Sequence, residues 1–182
     1  ILLRKELQVY SNILLINPQT PEFVSNKDYY IPHNILYLAA LFPDITRVLD
    51  LNTCNDNLVD IVKEQKPSLI GIGCLFSGQF QSVVEYAKTI KSNCGNIPIV
   101  IGGIHPTNFA FEILSNCDCF DFIVCGEGEE SFANLVNGSH LESIDSLAYR
   151  LNGTVFVNFR KGYITKLDSL PFPAYHLIDI KD

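Results

Sequence analysis

Methionine is absent from all 182 residues of the chain, position 1 included, so we expect the sequence to be a segment of a longer protein. Basic residues are also scarce: 13 Lys and Arg stand against 20 Asp and Glu, and the formal net charge is −7. Surfaces that bind nucleic acid or anionic membranes need clusters of Lys and Arg, and the sequence contains none. The composition therefore predicts that neither nucleic acid nor a membrane surface is a partner.

Long hydrophobic runs are missing too. The longest apolar runs fall far short of the ~20 residues that a membrane-spanning helix needs. No basic-then-apolar signal peptide opens the chain. We therefore expect a soluble protein of the cytoplasm.

The six cysteines form no recognisable framework. A domain of this size needs no disulfides, so we expect reduced thiols, as in other cytoplasmic proteins. Cys117 and Cys119 are one residue apart, and no second pair is present to complete a tetrahedral zinc site. We therefore interpret the cysteines as small buried residues and assign no metal site.

The residues that are present form an alternating pattern of strands and helices. Apolar residues make up 47% of the chain and charged residues 18%, which allows a packed core. Five apolar runs of strand length alternate with five stretches of helical period, a pattern typical of parallel strands joined by right-handed crossovers. We predict an α/β fold of the doubly wound, flavodoxin-like (Rossmann-like) type, with a five-stranded parallel sheet in the order 2-1-3-4-5. The predicted strands cover residues 12–17, 47–51, 68–73, 98–101 and 120–124, and the predicted helices cover 34–42, a stretch capped by Asp56 and ended near Pro67, 80–94, 109–115 and 129–136.

The pattern changes after residue 145. Apolar and polar residues alternate on both sides of Asn152-Gly153, which predicts an added C-terminal β-hairpin over residues 146–159. The following segment LDSLPFPAY (167–175) carries two prolines and is predicted to be an extended connector. We therefore predict three regions: a ligand-binding domain (1–140), a hairpin extension (141–166) and a linker to a further domain (167–182).

Glycine-rich loops follow most of the predicted strands. In doubly wound folds ligands bind beyond the carboxyl ends of the strands. A glycine there lets a flat or elongated ligand lie against the main chain, and helix starts offer free N–H groups for phosphate or amide oxygens. The alternative is that glycine only suits tight strand-to-helix turns. The candidate ligand-contacting residues are Pro18, Gln19, Gly73, Cys74, Leu75, Ser77, Gly102, Gly103, His105, Gly126, Glu127, Gly128 and Glu129.

Some of these residues carry chemistry of their own. His105 could be a ligand or a general acid, or it could only hold its loop by hydrogen bonds. Glu127, Glu129 and Glu130 could be catalytic carboxylates, although the last two also suit the start of a helix. No nucleophile–base arrangement can be placed in this pattern, so no catalytic residue is assigned.

Three longer motifs carry a family resemblance. The runs IVIGGIHPT (99–107), FIVCGEGEESFANLV (122–136) and LDSLPFPAYHL (167–177) together resemble the N-terminal half of cobalamin-binding radical S-adenosylmethionine enzymes. That group includes magnesium-protoporphyrin monomethyl ester cyclase-like and methyltransferase-like members. The runs ILLINP (13–18) and LIGIG (69–73) fit the same pattern.

The resemblance implies a flavodoxin-like domain that binds cobalamin, with the nucleotide tail of the cofactor in a groove between the sheet and its helices. In the related motif Asp-x-His-x-x-Gly, Ser-x-Leu, Gly-Gly, Leu75 and the pair Gly102-Gly103 match, whereas Gly73 stands in place of the Ser. The Asp-x-His-x-x-Gly part is missing, so no lower axial histidine is expected.

The resemblance also implies a catalytic domain that this chain lacks. The iron–sulfur triad Cys-x-x-x-Cys-x-x-Cys is absent, so the chain alone should not carry out radical chemistry. The full enzyme would use S-adenosylmethionine and an iron–sulfur cluster in its own C-terminal domain, as a methyltransferase or cyclase acting on an unactivated carbon. Two alternatives stay open: a degenerate, cofactor-free domain that serves as a structural or docking module, and a flavodoxin-like domain that binds another nucleotide.

Overall fold

Seven strands form one sheet in a computed structural model that describes residues 8–20, 30–159 and 167–178. Along the sheet the strands follow the order β2-β1-β3-β4-β5-β6-β7. The first five run parallel to one another, and the last two are antiparallel to their neighbours. The strands are β1 (Ile13–Asn17), β2 (Thr46–Asp50), β3 (Leu69–Gly73), β4 (Ile99–Gly102), β5 (Phe122–Val124), β6 (Leu147–Leu151) and β7 (Thr154–Val157).

Helices connect the parallel strands. They are α1 (His33–Leu41), α2 (Leu58–Gln65), α3 (Phe80–Cys94), α4 (Ile104–Asn108), α5 (Ala110–Asn116) and α6 (Glu129–Val136). Short 3₁₀ turns cover Ser77–Gln79, Leu141–Ser143, Leu167–Ser169 and Tyr175–Leu177. Among the described residues, no helix combines the length and the apolar character needed to cross a bilayer.

The sheet confirms the predicted α/β class with mostly parallel strands, and it has seven strands in all where a parallel sheet of five with an added hairpin was predicted. The hairpin continues the sheet, because β6 pairs antiparallel with β5, and Phe122 lies opposite Tyr149. The physical reason is the apolar character of β5, whose Ile123 is fully buried. Without β6, this short strand would expose an unpaired apolar edge.

The predicted hairpin turn is present. Asn152 has φ 51° and Gly153 has φ 80°, and two successive positive φ values are what a two-residue type I′ turn requires. β6 is largely buried, whereas β7 forms the mostly exposed edge of the sheet.

The two faces of the sheet are both covered. In β1, Leu14 and Ile16 belong to the core beneath α2, α3 and α5, whereas Ile13 and Leu15 belong to the core beneath α1 and α6. All four side chains are at most 2% exposed. A strand that is buried on both faces has the continuous apolar sequence seen here.

Two local predictions need correction at helix starts. The side chain of Asn57, rather than Asp56, caps α2, since its Oδ1 accepts hydrogen bonds from the backbone N–H groups of Val59 and Asp60. After β4, the segment predicted as a loop forms the short helix α4. Pro106 is compatible with this helix because it lies in the first turn, where its missing N–H is not needed.

The segment after the hairpin packs onto the domain. The backbone N–H of Ala174 donates to the carbonyl of Leu36 at 3.1 Å, and Ala174 is only 2% exposed. The ring of Tyr175 meets His33 edge-on, with 5.8 Å between centroids. The segment predicted to be an extended connector is therefore fixed against α1 at Ala174 and Tyr175, with 3₁₀ turns at Leu167–Ser169 and Tyr175–Leu177. The stretch 160–166, which would join it to the hairpin, lies outside the described residues.

Candidate functional site

A cavity of about 480 Å³ opens at the carboxyl edge of the parallel strands. It lies on the face of the sheet that α1 and α6 cover. Ile35 and Leu38 of α1 form one wall, and Phe132 of α6 forms another. Leu15 and Val100 contribute from the sheet itself. The site therefore occupies the position at which doubly wound folds bind ligands.

Gly71 gives the cavity its depth. This residue lies in the middle of β3, and a Cβ atom there would be 2.5 Å from Cδ2 of Leu15 and 3.7 Å from Cγ1 of Val100. The missing side chain leaves room for the side chain of Leu15, and both residues line the cavity. Gly71 was not among the predicted site residues, although an isolated glycine inside a strand is a known signal for close approach of a ligand or another backbone.

Three of the predicted glycines also line the slot. A Cβ atom on Gly73 would lie 3.3 Å from Cδ1 of Ile35, and one on Gly128 would lie 3.3 Å from Cγ1 of Val124. A Cβ atom on Gly102 would be 3.5 Å from the carbonyl oxygen of Val124, an ordinary contact distance. At these positions a side chain would take space from the cavity.

Gly103 has a different role. Its φ is 123°, and a Cβ atom there would lie 2.4 Å from the carbonyl oxygen of Cys74. Only glycine allows the loop after β4 to pack this closely against the loop after β3. The residue therefore fixes the two loops together as well as lining the cavity.

Thr107 joins the rim of the cavity by hydrogen bonds. Its hydroxyl donates to the carbonyl of Gly103 at 2.7 Å and accepts from the N–H of Gly126 at 2.9 Å. The loops after β4 and β5 are thereby connected. Leu75 and Ile104 add apolar side chains to the same rim, and Ile104 is 67% exposed.

Carboxylates mark the end of the cavity next to α6. Glu127 and Glu129 both line it, and the neighbouring Glu130 is exposed. The Oε2 atom of Glu129 is buried and has no hydrogen-bond partner among the described residues. No lysine or arginine of the described residues lines this cavity. Its polar end can therefore accept hydrogen bonds and repels anions.

The structure brings eight of the predicted contact residues together around the cavity. These are Gly73, Leu75, Gly102, Gly103, Gly126, Glu127, Gly128 and Glu129.

Five further predicted residues do not line the cavity. The carbonyls of Pro18 and Gln19 accept hydrogen bonds from Asn52 (3.2 Å) and Gln79 (3.4 Å), which hold the loop after β1. Cys74 is buried in the core on the opposite face, where burial raises the pKa of its thiol to about 12. The other two are Ser77 and His105.

His105 is held between aromatic rings. Its imidazole lies 4.6 Å from the ring centroid of Phe80 and 5.0 Å from that of Phe109, and its Nδ1 is 3.0 Å from Oγ of Ser77. Burial lowers the pKa of His105 below its ordinary value. These contacts favour the loop-stabilising interpretation over a ligand or general-acid role.

The cysteines are unpaired in the described part of the chain. Burial raises the pKa of Cys119 and Cys125 to about 11, so both stay protonated thiols at neutral pH. Within the described ranges no three His, Cys, Asp or Glu side chains come close enough to hold a metal ion.

The geometry of the cavity fits a narrow part of a ligand better than a broad one. The slot has apolar walls, glycines where side chains would close it and a hydrogen-bond acceptor at one end. An elongated ligand part that carries a planar ring and polar substituents matches these three features. The nucleotide tail of cobalamin has this shape and chemistry, so the residues present are compatible with that cofactor.

The comparisons with known proteins agree with this geometry. The sequence model of the B12 binding domain family matches residues 24–136. The chain is 30% identical to an uncharacterized methyltransferase of Pyrococcus horikoshii over 152 residues, which covers 80% of this chain and 31% of that protein. It is 28% identical to the anaerobic magnesium-protoporphyrin IX monomethyl ester cyclase of Synechocystis sp. over 182 residues, which covers 93% of this chain and 36% of that protein.

The fold is also similar to a solved enzyme structure. The radical S-adenosylmethionine methyltransferase TsrM from Kitasatospora setae, with cobalamin and a 4Fe-4S cluster bound, superposes with a TM-score of 0.63 at 17% identity. The match covers 90% of this chain and 31% of the enzyme. The chain thus spans about a third of the length of the relatives that it matches.

Proposed function

This chain belongs to the B12-binding domain family, whose ligand is cobalamin, and we propose that the cavity at the carboxyl edge of its sheet holds the nucleotide tail of that cofactor. The observation that carries this proposal is Gly71. This glycine lies in the centre of the sheet and lines the cavity beneath α1 and α6, and a side chain there would displace Leu15 towards the cavity.

The side chains around the slot supply binding and exclude water. Leu15, Val100 and Phe132 offer apolar surface to a planar heterocycle, and burial of such a ring against them is favourable. The glycines let the ring approach the backbone directly. The acidic end beside α6 can accept hydrogen bonds from the polar part of the tail.

The apolar rim offers a platform for the corrin ring. A macrocycle of that width cannot enter the slot, so we propose that it lies outside, against Leu75, Phe76 and Ile104. Phe76 is 42% exposed and Ile104 is 67% exposed, and side chains of this size are favourably covered by an apolar ligand or partner.

We propose that no protein imidazole reaches the cobalt. Among the described residues no histidine lines the cavity, and His105 is held by Ser77 and two phenylalanines. When bound, cobalamin would supply a cobalt centre able to carry a methyl group. The protein side of that centre would then consist of packing and hydrogen bonds, without a ligand to the metal.

The whole protein is proposed to be a radical S-adenosylmethionine enzyme. The relatives that are about three times as long include a methyltransferase and a cyclase. We propose that residues 1–140 are the cobalamin-binding domain, that 141–166 extend its sheet, and that 167–182 lead to a catalytic domain with an iron–sulfur cluster and S-adenosylmethionine. The reaction would transfer a methyl group to an unactivated carbon or cyclise it.

The cofactor-free docking module is the second candidate. A domain that binds nothing would gain stability by filling its slot with side chains, since interiors are normally close-packed. The glycines that line the cavity and the family match therefore favour cobalamin binding.

Gel filtration with excess hydroxocobalamin tests the proposal. The corrin absorbance should migrate with the unaltered chain. Gly102→Val should abolish this comigration, because the added side chain fills part of the cavity. The fold should tolerate the substitution, since a Cβ atom at this position makes only ordinary contacts. Thr154→Val, on the exposed strand β7, is the control and should retain the cofactor. Absence of corrin from the protein peak of the unaltered chain would favour the docking module.

A further inference from the structure

Glu129 places a carboxylate oxygen inside the cavity without satisfying it. The residue begins α6 and lines the slot, and its Oε2 atom is buried with no hydrogen-bond partner among the described residues. Buried polar atoms are nearly always paired, and an unpaired carboxylate oxygen is costly. The arrangement calls for a donor that the protein part of the site does not supply.

Helix stability does not account for this position. Carboxylates at a helix start interact favourably with the helix dipole, but the exposed Glu130 in the same turn provides that interaction without burial. Glu129 also makes no capping hydrogen bond, because Gly128 occupies the N-cap position and no side chain caps the helix. The buried oxygen is therefore best explained by the ligand.

The chemistry of the partner follows from charge. An ionised carboxylate only accepts hydrogen bonds, so the partner must be a hydroxyl or an N–H group. The phosphate of the nucleotide tail is unsuitable, since it is anionic and would meet Glu127, Glu129 and Glu130 within a short stretch of chain. In the described part of the cavity wall no lysine or arginine offsets these charges.

We propose that Glu129 accepts a hydrogen bond from a ribose hydroxyl of the cobalamin nucleotide tail. This inference rests on the proposed function and adds the part of the cofactor that the residue recognises. It makes Glu129 a specificity-determining residue that favours complete cobalamin over cobinamide, which keeps the corrin ring and its amides but lacks the ribose. The corrin amides are the other source of hydrogen-bond donors. Cobinamide distinguishes the two sources, because it keeps the amides and lacks the ribose.

The test is a set of dissociation constants for hydroxocobalamin and for cobinamide, measured by equilibrium dialysis with the 182-residue chain. Glu129→Ala should weaken hydroxocobalamin about 10- to 100-fold, the range expected for a hydrogen bond to a charged group, and should change cobinamide binding less than about threefold. Glu129→Gln keeps an acceptor oxygen and should weaken hydroxocobalamin less than the alanine variant does. The exposed neighbour provides the matched control, and Glu130→Ala should bind both ligands as the unaltered chain does.

The outcomes distinguish failure of the ribose assignment from failure of the proposed function. Unchanged hydroxocobalamin binding by Glu129→Ala, or an equal loss for both ligands, would overturn the ribose assignment and leave the proposed function standing. Failure of the unaltered chain to bind hydroxocobalamin would overturn the proposed function itself, and this role with it. Circular dichroism checks that each variant folds, and if the alanine variant does not, the ratio of the two constants in Glu129→Gln decides.

Discussion

The Nδ1 atom of His105 lies 3.0 Å from the hydroxyl oxygen of Ser77, so a side chain from α4 is joined to the 3₁₀ turn that precedes α3. The rings of Phe80 and Phe109 contact the imidazole, with 4.6 Å and 5.0 Å between ring centroids. This contact fixes the two loops that carry Leu75 and Ile104 at the rim of the cavity.

The His105 contact predicts a pH dependence of stability. Burial lowers the pKa of His105 in the folded state below the ordinary value of 6.5, so the unfolded chain binds more protons at mildly acidic pH. The stabilising contribution of the neutral imidazole is present above about pH 6.5 and is lost as the pH falls through the folded-state pKa. Urea denaturation between pH 7.5 and pH 5 should show a smaller loss of stability in His105→Asn than in the unaltered chain. The exposed His140 serves as control, and an equal effect of His140→Asn would contradict the role of burial.

The same contact predicts the spectrum of bound cofactor. With hydroxocobalamin bound and reduced to Co(II), electron paramagnetic resonance should show no superhyperfine splitting from an axial nitrogen. The cofactor's own base would lie with the nucleotide tail in the cavity, His105 is engaged elsewhere, and no described histidine lines the cavity. His105→Ala should leave the spectrum unchanged. Nitrogen splitting that disappears in this variant would show that the imidazole binds cobalt.

Adjacent glycines should respond differently to the same substitution. Gly103→Ala forces a Cβ atom into the carbonyl of Cys74 at a φ of 123°, so we expect a loss of about 2 kcal/mol or more in the free energy of unfolding. Gly102→Ala makes only ordinary contacts, so its stability should change by less than about 1 kcal/mol while hydroxocobalamin binding weakens. Urea denaturation and equilibrium dialysis measure the two effects. Equal stability of the two variants would argue against the close approach of the loops.

An acidic residue remote from the cavity should affect stability alone. Oδ2 of Asp121 accepts hydrogen bonds from Nζ of Lys91 and from the backbone N–H of Ile99, both at 2.8 Å. Asp121→Ala leaves the partly buried N–H of Ile99 without this acceptor and should cost about 1–3 kcal/mol. Lys91→Met removes a partly exposed ion pair and the hydrogen bonds from Nζ to the carbonyl of Ile97 (2.8 Å) and to Oδ1 of Asn96 (3.3 Å), and should cost about 1–2 kcal/mol. Denaturant titrations compare the two, and hydroxocobalamin binding should stay unchanged in both variants.

The alternation of apolar strands with amphipathic helices was sufficient to predict the α/β class. Each β1 residue from Ile13 to Ile16 is buried, and such an apolar run can be recognised from the sequence alone. The hairpin could also be predicted from Asn152-Gly153, because few residue pairs readily adopt two successive positive φ values. The sequence did not show which edge of the sheet, β2 or β5, the hairpin joins, since that depends on tertiary packing.

The candidate site was predicted from its loops and missed along its walls. The glycines after β3, β4 and β5 stand out in the sequence, and the structure brings them to one edge. Ile35, Leu38 and Phe132 look like any core residues of amphipathic helices, and only tertiary packing turns them towards the slot. For His105 the sequence left two interpretations open, and only its contacts with Ser77 and two phenylalanines favour the loop-stabilising one.

Because of the hydrogen bond between Ala174 and Leu36, α1 has two structural roles. On one side this helix forms a wall of the cavity through Ile35 and Leu38, and on the other it anchors the segment that precedes the end of the chain. A shift of α1 upon cofactor binding would therefore move the anchored segment as well. By reciprocity, if cofactor binding shifts α1, a force on that segment would change the affinity of the cavity by the same coupling free energy.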